Sequence, residues 1–403
     1  MLFSLSLAMK NVLRNRRRSI LTALSIFTAS IIVTYGIGFF NGIFDGVGRN
    51  YIDYLTGNFK ITTSGFEKYE RFLPAYEYIP DSAALVSNLS LIKGVTLAEE
   101  RIRFGIIIGK GEKSEAAMGI GADLRSSRLG LESRIAGGKI DSEGLYVCGG
   151  LADRLGIKTG DRLLLAAETS ERGLNGIKLP VKGIIHFGIS MIDKRSFFID
   201  LKNARKLLKM QGGITEIYVF TGSGTGREAM RGRIDKILPA GLVSRDPDQQ
   251  TGGIYSMMQS VGYALYVLLV LILLLASFVV VNTMVMAVYE RMKEIGTLKA
   301  IGMSDGGIFL NFTIEGIIIG SAGGITGGLS GYLLVVLSAV KGLNFSSMLK
   351  NRETPVSTIV YPSTGIEVLL AAVIIAVLIS TAAAVIPALR ARKTSPADAL
   401  RSI

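Results

Sequence analysis

The stretch "VLLVLILLLASFVVVNTMVMAVYERMKEIGTLKAIG", Val267–Gly302, decides how the chain is built. Up to Tyr289 it carries no charge. About 20 apolar residues suffice for a helix to cross a hydrocarbon core about 30 Å thick. The stretch then changes character. "YERMKEIGTLKAIG", Tyr289–Gly302, holds five charges: Glu290, Arg291, Lys293, Glu294 and Lys299. A further apolar run starts at Ile308. Two spans joined by a short charged amphipathic segment make a membrane hairpin whose connection sits in water.

Working outward, four segments are apolar enough to span. They are Ile20–Phe44, Gln249–Tyr289, about Ile308–Val340 with Glu315 its only charge, and Val368–Leu389. The chain of 403 residues is 49% hydrophobic with mean hydropathy +0.43, too apolar for an ordinary soluble protein of this size. Arg16–Arg18 followed by "TAS" (Thr28–Ser30) imitates a signal peptide, but the apolar run continues to Phe44, too far for a cleavable one. It reads as a retained anchor. Basic residues in short flanks set orientation. Lys10, Arg14, Arg16, Arg17, Arg18, Arg291, Lys293, Lys299, Arg390, Arg392, Lys393 and Arg401 lie on one side. Lys341, Lys350 and Arg352 lie in the short loop on the other. Both termini are therefore expected in the cytoplasm. The formal charge of +13 is mostly topology, with attraction to anionic lipid besides. Because the basic residues cluster at membrane edges, nucleic acid is not an expected partner.

The fold class follows: an α-helical membrane protein with four transmembrane helices plus an α/β extracytoplasmic domain. The expected order is a lead-in helix over 1–19, a first span over 20–44 and the α/β domain over 45–250. A stalk plus second span covers 251–289, and a charged helix 290–305. The third span covers 306–340, a short external loop 341–366, the fourth span 367–389 and a cytoplasmic tail 390–403. The forty-one uncharged residues Gln249–Tyr289 would measure about 60 Å as a helix, twice the core thickness. Their outer part, near Gly252–Val261, reads either as a stalk above the membrane or as a loop before an ordinary span.

Within the α/β domain, "NFKITTS" (Asn58–Ser64) alternates like a strand, and Ser82–Val95 has helical spacing with a glycine stop. "RIRFGIIIG", "SEAAMGIGA", "GLYVCG" and "LPVKGIIHFG" read as strands. "LADRLGIKTGDRLLLAA" reads as helix, turn at Gly160 and strand. "RSFFIDLKNARKLLKMQGGITEIYVF" reads as strand, helix, turn and strand, and Gly226–Leu238 as a last helix. No catalytic constellation stands out. The phosphate-loop pattern G-x-x-x-x-G-K-[S/T] is absent, so no ATP hydrolysis by that route is expected in this chain. The lone cysteine, Cys148, cannot pair within the chain. With one histidine, His186, read as a structural strand residue, no metal site is expected. The domain reads as a binding or force-transmitting module.

In the membrane part, Gly316, Gly320, Gly324 and Gly328 fall four apart, and Gly323, Gly327 and Gly331 form an adjacent row. Such a face lets another helix approach closely in lipid. It serves either packing within the chain or a dimer seam. Glu315 is placed near the cytoplasmic end, within reach of water or a partner. In the lead-in, Leu2, Leu5, Met9, Val12 and Leu13 share a helical face beside Lys10 and Arg14. That suits a helix in the membrane interface or a solvated lead-in. In the charged segment, Ile295, Leu298 and Ile301 form an apolar ridge, with Gly296 and Gly302 permitting close contact and a stop. The segment lies on the membrane surface or docks into a groove on a cytoplasmic partner. Positions near Tyr255–Tyr266 and Asn41–Tyr54 are the candidates for lipid contact.

"ERMKEIGTLKAIGMSDGGI" (Glu290–Ile308) followed by "EGIIIGSAGGITGG" (Glu315–Gly328) closely resembles the signature of the FtsX-like permeases, the membrane subunits of MacB-type ABC transporters, including the lipoprotein-releasing (Lol, LolC/LolE-like) permeases. "PALRARKTSPADALR" (Pro387–Arg401) resembles that family's closing motif and "AMKNVLRNRRRSILTALSI" (Ala8–Ile26) its opening one. "GGLADRLGIKTGDRLLL" (Gly149–Leu165) and Val181–Gly212 are similar to its MacB-like periplasmic core domain. "FNGIFDGVGRNYIDYLTGNFKITTSGF" (Phe40–Phe66) resembles the junction of the Lol-like branch. The resemblance implies that Glu290–Gly302 is a coupling helix seated in a groove of a separate ABC ATPase subunit, which binds the ATP and Mg. It implies a dimer with a second permease copy or paralogue in the bacterial inner membrane, and movement transmitted to the periplasmic domain. The Lol-like reading adds lipoprotein cargo, membrane lipids and a periplasmic carrier. An efflux permease pushing substrate through an outer-membrane duct, and an FtsX-like regulator of a cell-wall hydrolase, are the alternatives. The third would carry a smaller external domain than this one. A membrane-embedded enzyme has no residues in its favour.

Overall fold

The computed structural model describes residues 2–126, 128–135, 140–141, 143–222, 226–250, 254–349, 354 and 356–393. Expectations placed on Gly252, Gly253, Lys350, Arg352 and the tail beyond Lys393, including Arg401, lie outside the described residues. The chain forms two compact units. One is built from Asp45–Met258 and Asn344–Ile359, the other from Met1–Phe44, Gln259–Leu343 and Val360–Ile403.

The α/β unit is organised by a long strand. The strands are β1 (Phe59–Thr63), β2 (Val95–Lys110), β3 (Lys113–Ala122), β4 (Leu145–Cys148), β5 (Arg162–Glu168), β6 (Leu174–Ile185), β7 (Ser196–Asp200), β8 (Glu216–Thr221) and β9 (Leu242–Arg245). The order β3-β7-β4-β6-β5-β2, with β3 also paired to β2, closes six strands into a ring. Within it β3–β7 and β4–β6 are parallel and the other pairs antiparallel. β2 is sixteen residues long and serves twice. Arg101–Lys110 runs along β3, and Val95–Arg101 pairs with β8, from which β1 and β9 extend an open sheet.

Alternation puts Ile102, Phe104, Ile106 and Ile108 of β2 into the core with Leu163, Leu165 and Ala167 of β5. Each of the isoleucine, leucine and phenylalanine side chains among them contributes about 1.5–3 kcal/mol by leaving water. Gly119 of β3 has a reason to lack a side chain: a Cβ there would sit 2.2 Å from the Phe104 ring. The helix Leu201–Leu208 is capped by Asp200, whose carboxylate accepts from Lys202 N at 3.0 Å. It buries Ala204, Leu207 and Leu208.

The segment 344–359 belongs to this unit. Thr358 N donates to Gly188 O at 2.6 Å, Ser357 bridges Ile189, and Asn50 donates to Ser357 Oγ at 3.0 Å. The expected short external loop over 341–366 is thus in part a strap of the α/β unit. His186 is corrected as well: β6 ends at Ile185 and His186 follows it, exposed, where the chain turns through Gly188 at φ +71°.

Among the described residues, four helices are long and apolar enough to cross a membrane, and the helical unit is built mainly from them: Arg16–Asn50, Ile254–Glu290, Asp305–Lys341 and Ile366–Lys393. They overrun the expected spans at most ends. The second and third, at 37 residues, are about 55 Å long. The third is gripped from two sides. Gly316, Gly320 and Gly324 lie against Ala384, Ser380 and Ala376 of the fourth, and Gly328 against Val373. A Cβ on Gly323, Gly327 or Gly331 would meet the carbonyl oxygens of Ala23, Phe27 or Ile31 at 2.5, 2.4 or 2.9 Å. Both glycine rows are therefore occupied within the chain, and Ser30 Oγ donates to Gly324 O at 3.0 Å across one of them.

Candidate functional site

The charged segment is shorter than the expected 290–305 helix. The second span ends at Glu290, a separate helix runs Met292–Ala300, and the third span begins at Asp305. The break falls on Arg291, at φ −106° and ψ 18°. The stop is chemical. Gly302 takes φ +104°, a conformation that costs glycine little, and Met303 N closes the helix end by donating to Leu298 O at 2.9 Å. Ser304 then caps the third span, accepting from Gly307 N at 3.2 Å.

The charges do not simply surround an apolar ridge. Arg291 turns inward: it is 4% exposed, and its Nη1 donates to Glu315 Oε2 at 3.0 Å. Its Nη2 donates to Asn11 O at 3.3 Å. Glu315, 1% exposed, thus meets a partner group, Arg291, rather than water, of the two alternatives expected for it. A carboxylate nearly three turns into an apolar helix that starts at Asp305 is sheltered more cheaply by a guanidinium than by bulk water it cannot contact. Lys299 is also buried as a side chain. It binds Asp305 at 2.7 Å and donates to Arg392 O at 2.7 Å on the fourth span. Glu290 pairs with Arg18 at 2.5 Å, and Glu294 with Arg14 at 2.7 Å through both carboxylate oxygens. Lys293 has no ion-pair partner among the described residues.

The ridge is likewise divided. Ile295 is buried and Leu298 partly so, in a cluster with Met284, Val288, Ile308, Phe312 and Ala388. Gly296 is buried too. Ile301 points out, 80% exposed, because the helix has ended at Ala300. The lead-in helix Leu2–Arg14 packs Ala8 and Val12 inward and leaves Met9 and Leu13 exposed. The side chains of Leu2 and Leu5 lie outside the described residues. The segment Glu290–Gly302 is thus joined by side chains to the lead-in helix and to the first, third and fourth spans. Sequence reasoning missed the Arg291–Glu315 pair. The signal was present in a lone carboxylate in the third span and an arginine at the end of the second.

No acid, base or nucleophile converges here, and Cys148 is buried in the α/β unit.

Residues 266–396 match the FtsX-like permease C-terminal family. The lipoprotein-releasing system transmembrane protein LolC of Xylella fastidiosa (strain 9a5c) is 24% identical over 315 residues, covering 72% of this chain and 74% of that one. LolC of Neisseria meningitidis serogroup B is 23% identical over 369 residues, covering 87% and 83%. The periplasmic region of MacB from Actinobacillus actinomycetemcomitans aligns with a TM-score of 0.35 at 10% identity, over 49% of this chain and 91% of that one.

Proposed function

The chain carries an FtsX-like permease domain over residues 266–396, and from that premise we propose that it extracts lipoproteins from the bacterial inner membrane, driven by an ABC ATPase on a separate chain that binds the ATP and Mg. In this reading both termini and Glu290–Gly302 face the cytoplasm and the α/β unit lies in the periplasm. The permease pairs with a second copy or paralogue, and cargo passes to a periplasmic carrier. The match to two LolC proteins over most of the chain supports the lipoprotein cargo.

One observation carries the mechanical part: the segment Glu290–Gly302 holds on to the lead-in helix and three spans through Arg14, Arg18, Glu315, Asp305 and Arg392. A partner that closes on ATP and moves this segment therefore moves the bundle with it. A solvated loop would absorb the same displacement.

Co-purification of the tagged chain from native membranes, with mass spectrometry of what is retained, tests the reading. An ATPase subunit together with lipoproteins is the expected result. An ATPase with an outer-membrane duct moves the assignment to efflux, and a cell-wall hydrolase moves it to regulation. Absence of any ATPase removes the coupling role. In the reconstituted complex, Glu294→Arg and Gly296→Leu are expected to leave ATP hydrolysis running while lipoprotein release falls at least tenfold. Undiminished release in both variants would overturn the role of the segment.

A further inference from the structure

Between the lead-in helix and the first span the chain turns through Asn15. An open cavity of about 500 Å³ lies at this turn, lined by Leu13, residues 14–18 and Glu290. Four arginines line it with one glutamate. Two are committed: Arg14 to Glu294 and Arg18 to Glu290. Arg16 spends its Nε on Leu13 O at 3.1 Å. Arg17, exposed, makes no hydrogen bond or ion pair among the described residues. The cavity therefore keeps a surplus of positive charge and a set of forked donors suited to phosphate oxygens.

The neighbouring surface is the second observation. Three, four and seven residues beyond Arg17 stand Ile20, Leu21 and Leu24, which share its helical face. They are 62, 63 and 52% exposed. The free guanidinium thus heads an aliphatic rail. Topology alone explains basic residues at a membrane edge. It does not explain a concavity that gathers four of them at the head of that rail.

We propose that this cavity binds the phosphate of an anionic phospholipid, with an acyl chain laid along Ile20, Leu21 and Leu24. Inorganic phosphate shares the headgroup chemistry but leaves the rail unused, so the lipid is the occupant argued for. The cavity would hold its lipid whatever cargo the chain serves. A basic residue at an anionic membrane surface contributes about 1 kcal/mol, which is about fivefold in affinity.

The test is native mass spectrometry of the full chain in detergent, titrated with dioleoyl-phosphatidylglycerol or dioleoyl-phosphatidylcholine. The expected result is one retained phosphatidylglycerol at a concentration at least tenfold below that for phosphatidylcholine. Arg17→Gln leaves the other basic residues to hold the topology and should weaken that binding about fivefold. Arg16→Gln/Arg17→Gln should weaken it twentyfold or more. Arg392→Gln/Lys393→Gln removes two charges from another helix end and should change it less than twofold. Equal losses in the last two variants would mean unspecific attraction and overturn the site. So would lack of preference for phosphatidylglycerol, or undiminished binding in Arg17→Gln. Inorganic phosphate at 10 mM, a challenge about as large as a lone headgroup contact can withstand, should leave the lipid in place. Its displacement would assign the cavity to free phosphate.

Discussion

Replacing Glu315 by alanine should destabilise the helical unit by about 3–5 kcal/mol. The pair it breaks is nearly dry: Arg291 and Glu315 side chains are 5% and 2% exposed, with nitrogen and oxygen 3.0 Å apart. At that distance the attraction is about 5 kcal/mol at an effective dielectric of about 20. Desolvation of the two ions costs several kcal/mol each, so the intact pair contributes little net stability. Removing one partner is another matter, because the Arg291 guanidinium then stays buried with only neutral acceptors, Asn11 O at 3.3 Å and the Asn15 amide oxygen at 2.6 Å. The double variant Arg291→Met/Glu315→Leu removes both ions and fills similar volume, and should recover to within about 1 kcal/mol of the parent. Unfolding in mixed micelles of increasing dodecyl sulfate, followed by helical ellipticity, reads both. Ellipticity is the suitable probe because the chain has no tryptophan. A single variant within about 1 kcal/mol of the parent, or a double variant as weak as the single, would refute the account of the pair.

Gly320→Leu drives side-chain atoms into Ser380, whose Cβ would lie 2.4 Å from the new Cβ, and should cost at least about 1–3 kcal/mol in the same assay. Gly306→Ala on the same helix meets nothing within 4 Å and should be neutral or stabilise by up to about 1 kcal/mol. Burial pushes the Cys148 thiol well above its usual range, with the Asp193 carboxylate adding to the effect. At pH 8 it should resist a maleimide in the native protein and react within minutes once denatured, as peptide mapping would record. Burial raises the Glu70 carboxyl, but Arg103 and Lys60 outweigh it and hold the group below its ordinary 4.5. The stability this supplies is complete above that value and drains away as pH falls through the folded-state value. Glu70→Gln should therefore flatten the acid limb of the unfolding curve below about pH 4.5.

The spans were legible because lipid imposes one requirement, a long run without charge, that any reader can count. The strand Phe59–Thr63 was legible from the alternation of Asn58–Ser64, and Lys113–Ala122 from the strand-like run Ser114–Ala122. What periodicity could not supply was the partner of each face. The glycine rows announced close approach but not that Ala384 and Ser380 take one and the backbone of Ala23–Ile31 the other. The ridge Ile295–Leu298–Ile301 assumed a helix that continues, whereas Gly302 ends it early enough to leave Ile301 outside. Arg291 reads in sequence as one more surface charge. Only the fold brings it to Glu315, twenty-four residues on. Strand β9, four residues long, is too short for a pattern to show, and the ring of six strands rests on pairings between distant segments.

The strap over 344–359 has a consequence for how such genes can be cut and rejoined. The α/β unit is assembled from two separate stretches, Asp45–Met258 and Asn344–Ile359, so no single cassette contains it. A chimera that imports 45–258 from a relative keeps the host's strap, and must reproduce the antiparallel bridge between Ile189 and Ser357 with mismatched partners. Exchange of this unit between relatives is expected to succeed when both pieces travel together, which ties its inheritance to that of the third and fourth spans that flank the smaller piece.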